Sequence, residues 1–236
     1  MENKLSKNKS SGKKSKATVQ RAGKIIAMLE KIYPGARCSL DFQNPLQLLI
    51  ATILSAQCTD KRVNLVTPRL FKKYKTARAL ATADPAELMQ MIRPTGFFRN
   101  KARNIIGCCR MLVKHFGGKV PGRMEDLIAL PGVARKTANV VLYNAFGLNE
   151  GIVVDTHVKR LSRRLGFTKH DQPEKIEQDL MLLTPKNKWG RLSNLLIELG
   201  RDVCKAPKPK CKQCQLKSLC PWYAKYGGNP LNMAQD

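Results

Sequence analysis

Helices start readily at proline and stop readily at glycine but tolerate neither in the middle, and this chain is punctuated to match. Asn44-Pro45 supplies an N-cap and a first-turn proline ahead of LQLLIATILSAQ. Asp84-Pro85-Ala86-Glu87 supplies a cap, a first-turn proline and a capping-box glutamate ahead of residues 88–92. Helical periodicity over 19–32 halts at Tyr33-Pro34-Gly35, and an amphipathic stretch over 99–116 is closed by Gly117-Gly118. Pro131-Gly132 separates a helix over 125–130 from one over 135–146, and three more fit 157–165, 173–183 and 189–199. Alternating strands are absent, residues 151–154 being too short for one, and no internal repeat is visible. The pattern predicts an all-α fold. With 236 residues, 43% of them hydrophobic, the chain can build one large domain or two small ones. Residues 1–18 are Lys/Ser-rich with little apolar content, which predicts a disordered basic arm.

Charge restricts the partner. There are 43 Lys and Arg against 17 Asp and Glu, a net charge of +26. The first 20 residues carry only six lysines and one glutamate, so the body is itself basic. Self-repulsion this large points to a polyanion, with nucleic acid ahead of a membrane surface. The longest apolar run, 46–54, is interrupted by Gln47 and Thr52 and is too short to cross a bilayer. The N-terminus is polar and lysine-rich, unlike a signal peptide. An intracellular protein is therefore expected, cytoplasmic and nucleoid-associated if bacterial, with its thiols reduced.

Eight cysteines are present, and four of them, Cys204, Cys211, Cys214 and Cys220, follow the spacing C-x6-C-x2-C-x5-C. Four thiolates so close together can wrap a single inorganic centre. Structural zinc usually takes two short Cys knuckles, and only one C-x2-C occurs here, so a [4Fe–4S] cubane fits better and a zinc loop is the alternative. Lys205, Lys208, Lys210, Lys212 and Lys217 are interleaved with the ligands. The centre then reads as a staple that orders a loop presenting lysines to phosphates. Cys38, Cys58, Cys108 and Cys109 are scattered and read as small buried hydrophobes.

The segment LPGVARKTA at 130–138 joins two helices. Gly132 permits a tight turn, and the helix beyond it opens with free N–H groups that can grip a phosphate. Alone this would be an ordinary helical corner. In a basic, all-helical chain with a cysteine cluster it reads as a DNA-binding helix–hairpin–helix, with Leu130, Gly132, Val133 and Ala134 as its contacts. Lys136 is either one more phosphate contact or an amine nucleophile. Asp155, in VVDTH, is either a plain N-cap or a carboxylate placed to steady positive charge on a sugar. His157 is either part of the helix start or a base contact. Phe97-Phe98 on residue type alone reads as core packing.

Taken together, LPGVARKTANVV, VVDTH and C-x6-C-x2-C-x5-C, in that order, with SAQCTD at 55–60 and GFFRNKA at 96–102, resemble the endonuclease III family of DNA glycosylases. The likeness runs from about Arg21 to Pro221. It implies two helical domains flanking a DNA-binding cleft: a six-helix barrel over 41–150, and a cluster domain combining 19–40 with 151–225, followed by a tail over 226–236. It implies that Lys136 is the Schiff-base lysine, that Asp155 is the catalytic aspartate, and that Gln57 and Phe97 fill the gap left by a flipped base. The implied cofactor is one [4Fe–4S] cluster. The implied partner is double-stranded DNA carrying oxidised or ring-saturated pyrimidines or abasic sites, bound by a monomer. The family's hairpin often has a second glycine where Ala134 stands, and an aliphatic wedge is common where Phe97 stands.

The expected activity is that of a bifunctional glycosylase and abasic-site lyase in base-excision repair. The alternatives are a monofunctional mismatch glycosylase of the same superfamily and a non-catalytic iron–sulfur DNA-binding module. Lys136 argues against the first, as does the short stretch after Cys220, because adenine-specific relatives carry a further domain there. Lys136 and Asp155 together argue against the second.

Overall fold

The structure is a computed structural model that describes residues 14–227. Most of the expected basic arm and nearly all of the tail lie outside the described residues. The arm's last residues do not: α1 (Lys16–Ile32) begins three residues before the expected Val19, because Ser15 caps it by accepting the Thr18 N–H at 3.2 Å. Lys14, just before the cap, pairs with Asp179 at 2.7 Å. Residues 16–18 are thus helix and not arm.

Every regular element among the described residues is helical. The helices enclose two hydrophobic cores. The first is built by α2 (Pro45–Leu54), α3 (Asp60–Lys73), α4 (Ala77–Ala81), α5 (Pro85–Ile92), α6 (Phe98–Phe116), α7 (Met124–Ile128) and α8 (Arg135–Phe146). At its centre lies α2, in which every residue from 48 to 54 is buried, Thr52 included. Thr52 is accommodated because its hydroxyl donates to the Leu48 carbonyl at 2.7 Å. Removing each such leucine or isoleucine from water contributes about 1.5–3 kcal/mol. α2 packs against α8, α3 and α6, so the helix leading toward Gln57 and the helix that begins at Arg135 share one core.

The second core joins α1 to α9 (Thr156–Arg164), α10 (Pro173–Leu183) and α11 (Trp189–Asp202), with Ile152, Val154 and Leu216. Residues 151–154 are buried and belong to no regular element. The cores meet where α8 crosses α11. Gly190 is required there: a Cβ would stand 2.1 Å from the Tyr143 ring, and the Gly190 N–H donates to Asn149 at 2.9 Å.

The caps behave as their residue types dictate, with one exception. Asn44 and Asp84 accept the Gln47 and Glu87 N–H groups at 3.0 and 2.7 Å. The reciprocal half of the capping box at Asp84 is missing. Glu87 instead turns to Lys73 and to the Tyr74 hydroxyl at the end of α3, an ammonium being a better partner for a carboxylate than a backbone N–H.

Candidate active site

Lys136 and Asp155 arrive from the two cores at one open cleft of about 660 Å³, which Gln57, Thr59, Asp60, His157 and Arg201 also line. Lys136 is exposed on the first turn of α8. That turn is fixed from behind by Glu177 of α10, buried in the second core. Glu177 accepts from Arg135 Nε at 3.1 Å, from the Asn139 amide at 3.1 Å and from the Ile152 N–H at 3.1 Å. Gly151 lets the backbone approach, since a Cβ there would overlap Glu177 Oε1. One carboxylate therefore ties the helix carrying Lys136 to the buried segment leading into Asp155.

Asp155 takes the first of the roles open to it in the sequence, the N-cap, and also lines the cleft. Its Oδ1 accepts the Val158 N–H at 2.8 Å and caps α9, while the residue remains half-exposed on the cleft. Across the cleft floor Arg201 donates to Asp60 and to the Ser39 hydroxyl, both at 3.0 Å, and Ser39 donates to Asp60 at 2.6 Å.

His157 Nδ1 lies 3.3 Å from Arg160 Nη2. A guanidinium can only donate, so Nδ1 is the acceptor and the proton sits on Nε2. Burial pushes the His157 imidazole below its ordinary value of 6.5, and Arg160 and Arg201 push the same way against Asp155 and Asp60. Because the folded state resists protonation more than the unfolded state does, the contribution is present above about pH 6.5 and is lost as pH falls through the lower folded value. Between pH 7 and 5 the wild type should lose more melting temperature than His157→Asn, whose amide keeps an acceptor near Nδ1. Parallel pH slopes would remove the imidazole from this account.

Gln57 and Phe97 are the only non-glycine residues with positive φ among those described, at 52° and 47°. Both are exposed, Phe97 to 62%. The core-packing reading of Phe97-Phe98 therefore holds for Phe98 alone, which packs on the first core. Left-handed backbone is costly for a bulky side chain, and such strain tends to persist at functional sites. Gly96 before it, at φ 69° and ψ 164°, occupies a region essentially open only to glycine.

The hairpin residues divide. Gly132, at φ 76°, turns against Asn104, whose Cβ would lie 2.8 Å from an added methyl. The side chains of Leu130 and Val133 are buried at 2% and 6% exposure, so only their backbone can face a ligand, and the Val133 N–H is already given to the Leu130 carbonyl at 3.1 Å. Ala134 is exposed at the N-cap of α8, where no side chain takes the first N–H groups. The exposed part of the hairpin thus consists of Gly132, Ala134 and the start of α8.

Cys204, Cys211, Cys214 and Cys220 line one small apolar cavity with Leu165, Leu199, Leu216 and Trp222. Among the described residues no three His, Cys, Asp or Glu side chains converge as ligands of a single ion. The donor set nonetheless suits a cationic centre. Burial and the neighbouring sulfurs push the Cys211, Cys214 and Cys220 thiols up, so thiolates there need a metal's charge. Arginines pin the loop: Arg164 donates to Cys204 Sγ at 3.4 Å and to the Lys205 and Ala206 carbonyls, Arg160 donates to the Cys204 carbonyl, and Arg21 donates to those of Leu165 and Leu219. The five interleaved lysines are all exposed.

Residues 50–186 match the HhH-GPD superfamily of base excision DNA repair proteins. The all-helical fold and the hairpin at 130–135 lie within that match. The endonuclease III of Synechocystis sp. is 61% identical over 202 residues, covering 86% of this chain and 92% of that protein. That of Bacillus subtilis is 46% identical over 196 residues, covering 81% and 89%. A structure of a trapped endonuclease III–DNA covalent intermediate superposes with a TM-score of 0.84 at 45% identity, covering 89% of this chain and 98% of that one. A thermostable thymine-DNA glycosylase superposes at 0.79 and 25% identity. This chain belongs to the endonuclease III family, and it is a base-excision DNA glycosylase with abasic-site lyase activity. No helix among the described residues is long and apolar enough to cross a membrane.

Proposed function

We propose that the enzyme removes oxidised or ring-saturated pyrimidines from duplex DNA and then nicks the strand, with Lys136 as nucleophile and Asp155 as its charge partner. The observation that carries this reading is the convergence of these two residues, from separate cores, on one cleft. A stacked base must leave the helix before its sugar can be attacked. The first turn of α8 and the lysines between residues 205 and 217 hold phosphates on either side. Gln57 and Phe97 enter the gap, and His157 offers Nε2–H to the extruded nucleotide.

The neutral Lys136 amine then forms a bond to C1′ as the glycosidic C–N bond breaks, and the base leaves with that electron pair. Asp155 steadies the positive charge that develops on the sugar. Ring opening gives an imine. Loss of a C2′ proton drives its electrons into a C2′–C3′ double bond and expels the 3′ phosphate. Water finally hydrolyses the imine and frees the lysine. The four cysteines would hold a [4Fe–4S] cluster, which supplies a structural tie for the lysine loop when bound.

The protein acts as a monomer of two domains, a barrel over 41–150 and a cluster domain over 19–40 and 151–225, at chromosomal DNA inside the cell. The two hydrophobic cores and the basic surface support this reading. It is tested by single-turnover assays on two duplexes, one with 5,6-dihydrothymine and one with a preformed abasic site. The wild type should process both. Phe97→Ala should slow processing of the damaged base by about tenfold or more while changing abasic cleavage little, because an abasic site has no base to unstack. Equal losses on both substrates would make Phe97 a structural residue.

A further inference from the structure

Lysine is seldom buried, yet Lys101 of α6 is only 4% exposed. Its ammonium donates to the Leu54 carbonyl at 2.8 Å and to the Thr95 carbonyl at 2.7 Å. Neither acceptor is incidental. Leu54 is the last residue of α2. Had that helix continued, its carbonyl would have accepted the Cys58 N–H. Instead Cys58 donates to Ser55 at 3.0 Å, the chain turns, and Gln57 takes its left-handed conformation. Thr95 ends the short 3-10 turn before Gly96 and Phe97. The Lys101 backbone N–H also donates to the Phe97 carbonyl at 3.0 Å. One residue thus holds the carbonyls at the base of both turns whose tips carry the strained, exposed side chains.

We propose that Lys101 is a positioning residue for base extrusion, locking the turns that present Gln57 and Phe97 into a single rigid pair. The proposal rests on the reading of Gln57 and Phe97 as gap-filling residues. A mobile ammonium could bridge two carbonyls anywhere. Here it is enclosed by the first core, so the turns can separate only if a buried charge loses its partners, which is costly. The strain at Gln57 and Phe97 is held by this tie, and the two side chains meet the duplex already ordered.

The test uses the full chain carrying Lys101→Met, which keeps length and volume but offers no donor. Single-turnover rates are measured on the dihydrothymine duplex and on the abasic duplex, with a melting curve alongside. The expected result is a loss of about ten- to a hundredfold on the damaged base and under about threefold on the abasic site, the range a misplacement of roughly 1 Å produces. In a Gln57→Ala, Phe97→Ala background, Lys101→Met should cause no further loss of base removal, because it acts through those two side chains. Where the methionine variant does not melt cooperatively, Lys101→Gln, which retains a shorter donor, is used with the same expectation. Equal losses on both substrates, or losses that multiply in the double background, would overturn the proposal and leave Lys101 a structural lysine. If the Gln57 and Phe97 variants show no substrate-selective loss of their own, the gap-filling reading fails. If they show it and Lys101→Met does not, only the role of Lys101 fails.

Discussion

Lys136→Gln should abolish strand cleavage, with a single-turnover loss on the order of 10³-fold or more, while leaving the fold intact and much of the DNA affinity in place. Lys136 is exposed on the first turn of α8, and its side chain supports no core contact, so removing the amine takes away chemistry and not packing. Glutamine keeps most of the length and the polarity. The competing role, a phosphate contact, makes a different forecast: weaker binding by a modest factor and an unchanged chemical step. Enzyme in excess separates the two, because weak binding can be saturated and a missing nucleophile cannot. Asp155→Asn should slow base release less severely. Because Asp155 Oδ1 also caps α9, its melting curve must accompany the rate.

The second large effect is expected at the cysteine cavity. Between α11 and α12 (Pro221–Tyr226) the chain makes only two single 3-10 turns, and Leu216 and Pro209 are its buried anchors there. Beyond the arginine hydrogen bonds, this is little burial to set against the mutual repulsion of five exposed lysines. Structural metal binding supplies on the order of 10 kcal/mol, comparable with the whole stability of a domain. Cys211→Ser should therefore reduce iron from about four atoms per chain to near none. It should also lower the melting temperature, weaken DNA binding and flatten its salt dependence as the lysines leave the phosphates. Stoichiometric zinc without iron in anaerobically prepared wild-type protein would contradict the cubane and support the zinc loop.

Local chemistry made most helices legible. Asn44, Asp84, Gly117, Gly147 and Pro173 mark boundaries because caps and turns are decided within four residues. The helix over residues 60–73 is not marked by this punctuation, since Pro68 sits inside it; the cap at Thr59 and the buried stripe Val63, Val66, Thr67 and Leu70 outweigh that interruption. Lys136, Asp155 and the four cysteines were legible as candidates because each lies in a short, distinctive string. Lys101, Glu177 and Arg201 were not. Their partners lie 47, 42 and 141 residues away in Lys101–Leu54, Arg135–Glu177 and Arg201–Asp60, and no periodicity carries that information. A lysine and an asparagine on the inner face of amphipathic helices, at 101 and 139, were the available signal, since a polar residue at a core position needs a buried partner. Among the residues expected to contact DNA, Leu130 and Val133 show the converse limit. The hairpin is where the sequence places it, but their side chains belong to the core.

The central claim, that one lysine amine on α8 becomes covalently joined to the sugar, is tested most directly by reductive trapping. Wild-type protein and a duplex with a single abasic site are mixed with borohydride, and the stable adduct is digested and mapped by mass spectrometry. The account predicts a one-to-one protein–DNA adduct carried by the peptide containing Lys136, and none with Lys136→Gln. An adduct on a different amine, or strand cleavage that proceeds with no adduct at all, would contradict it.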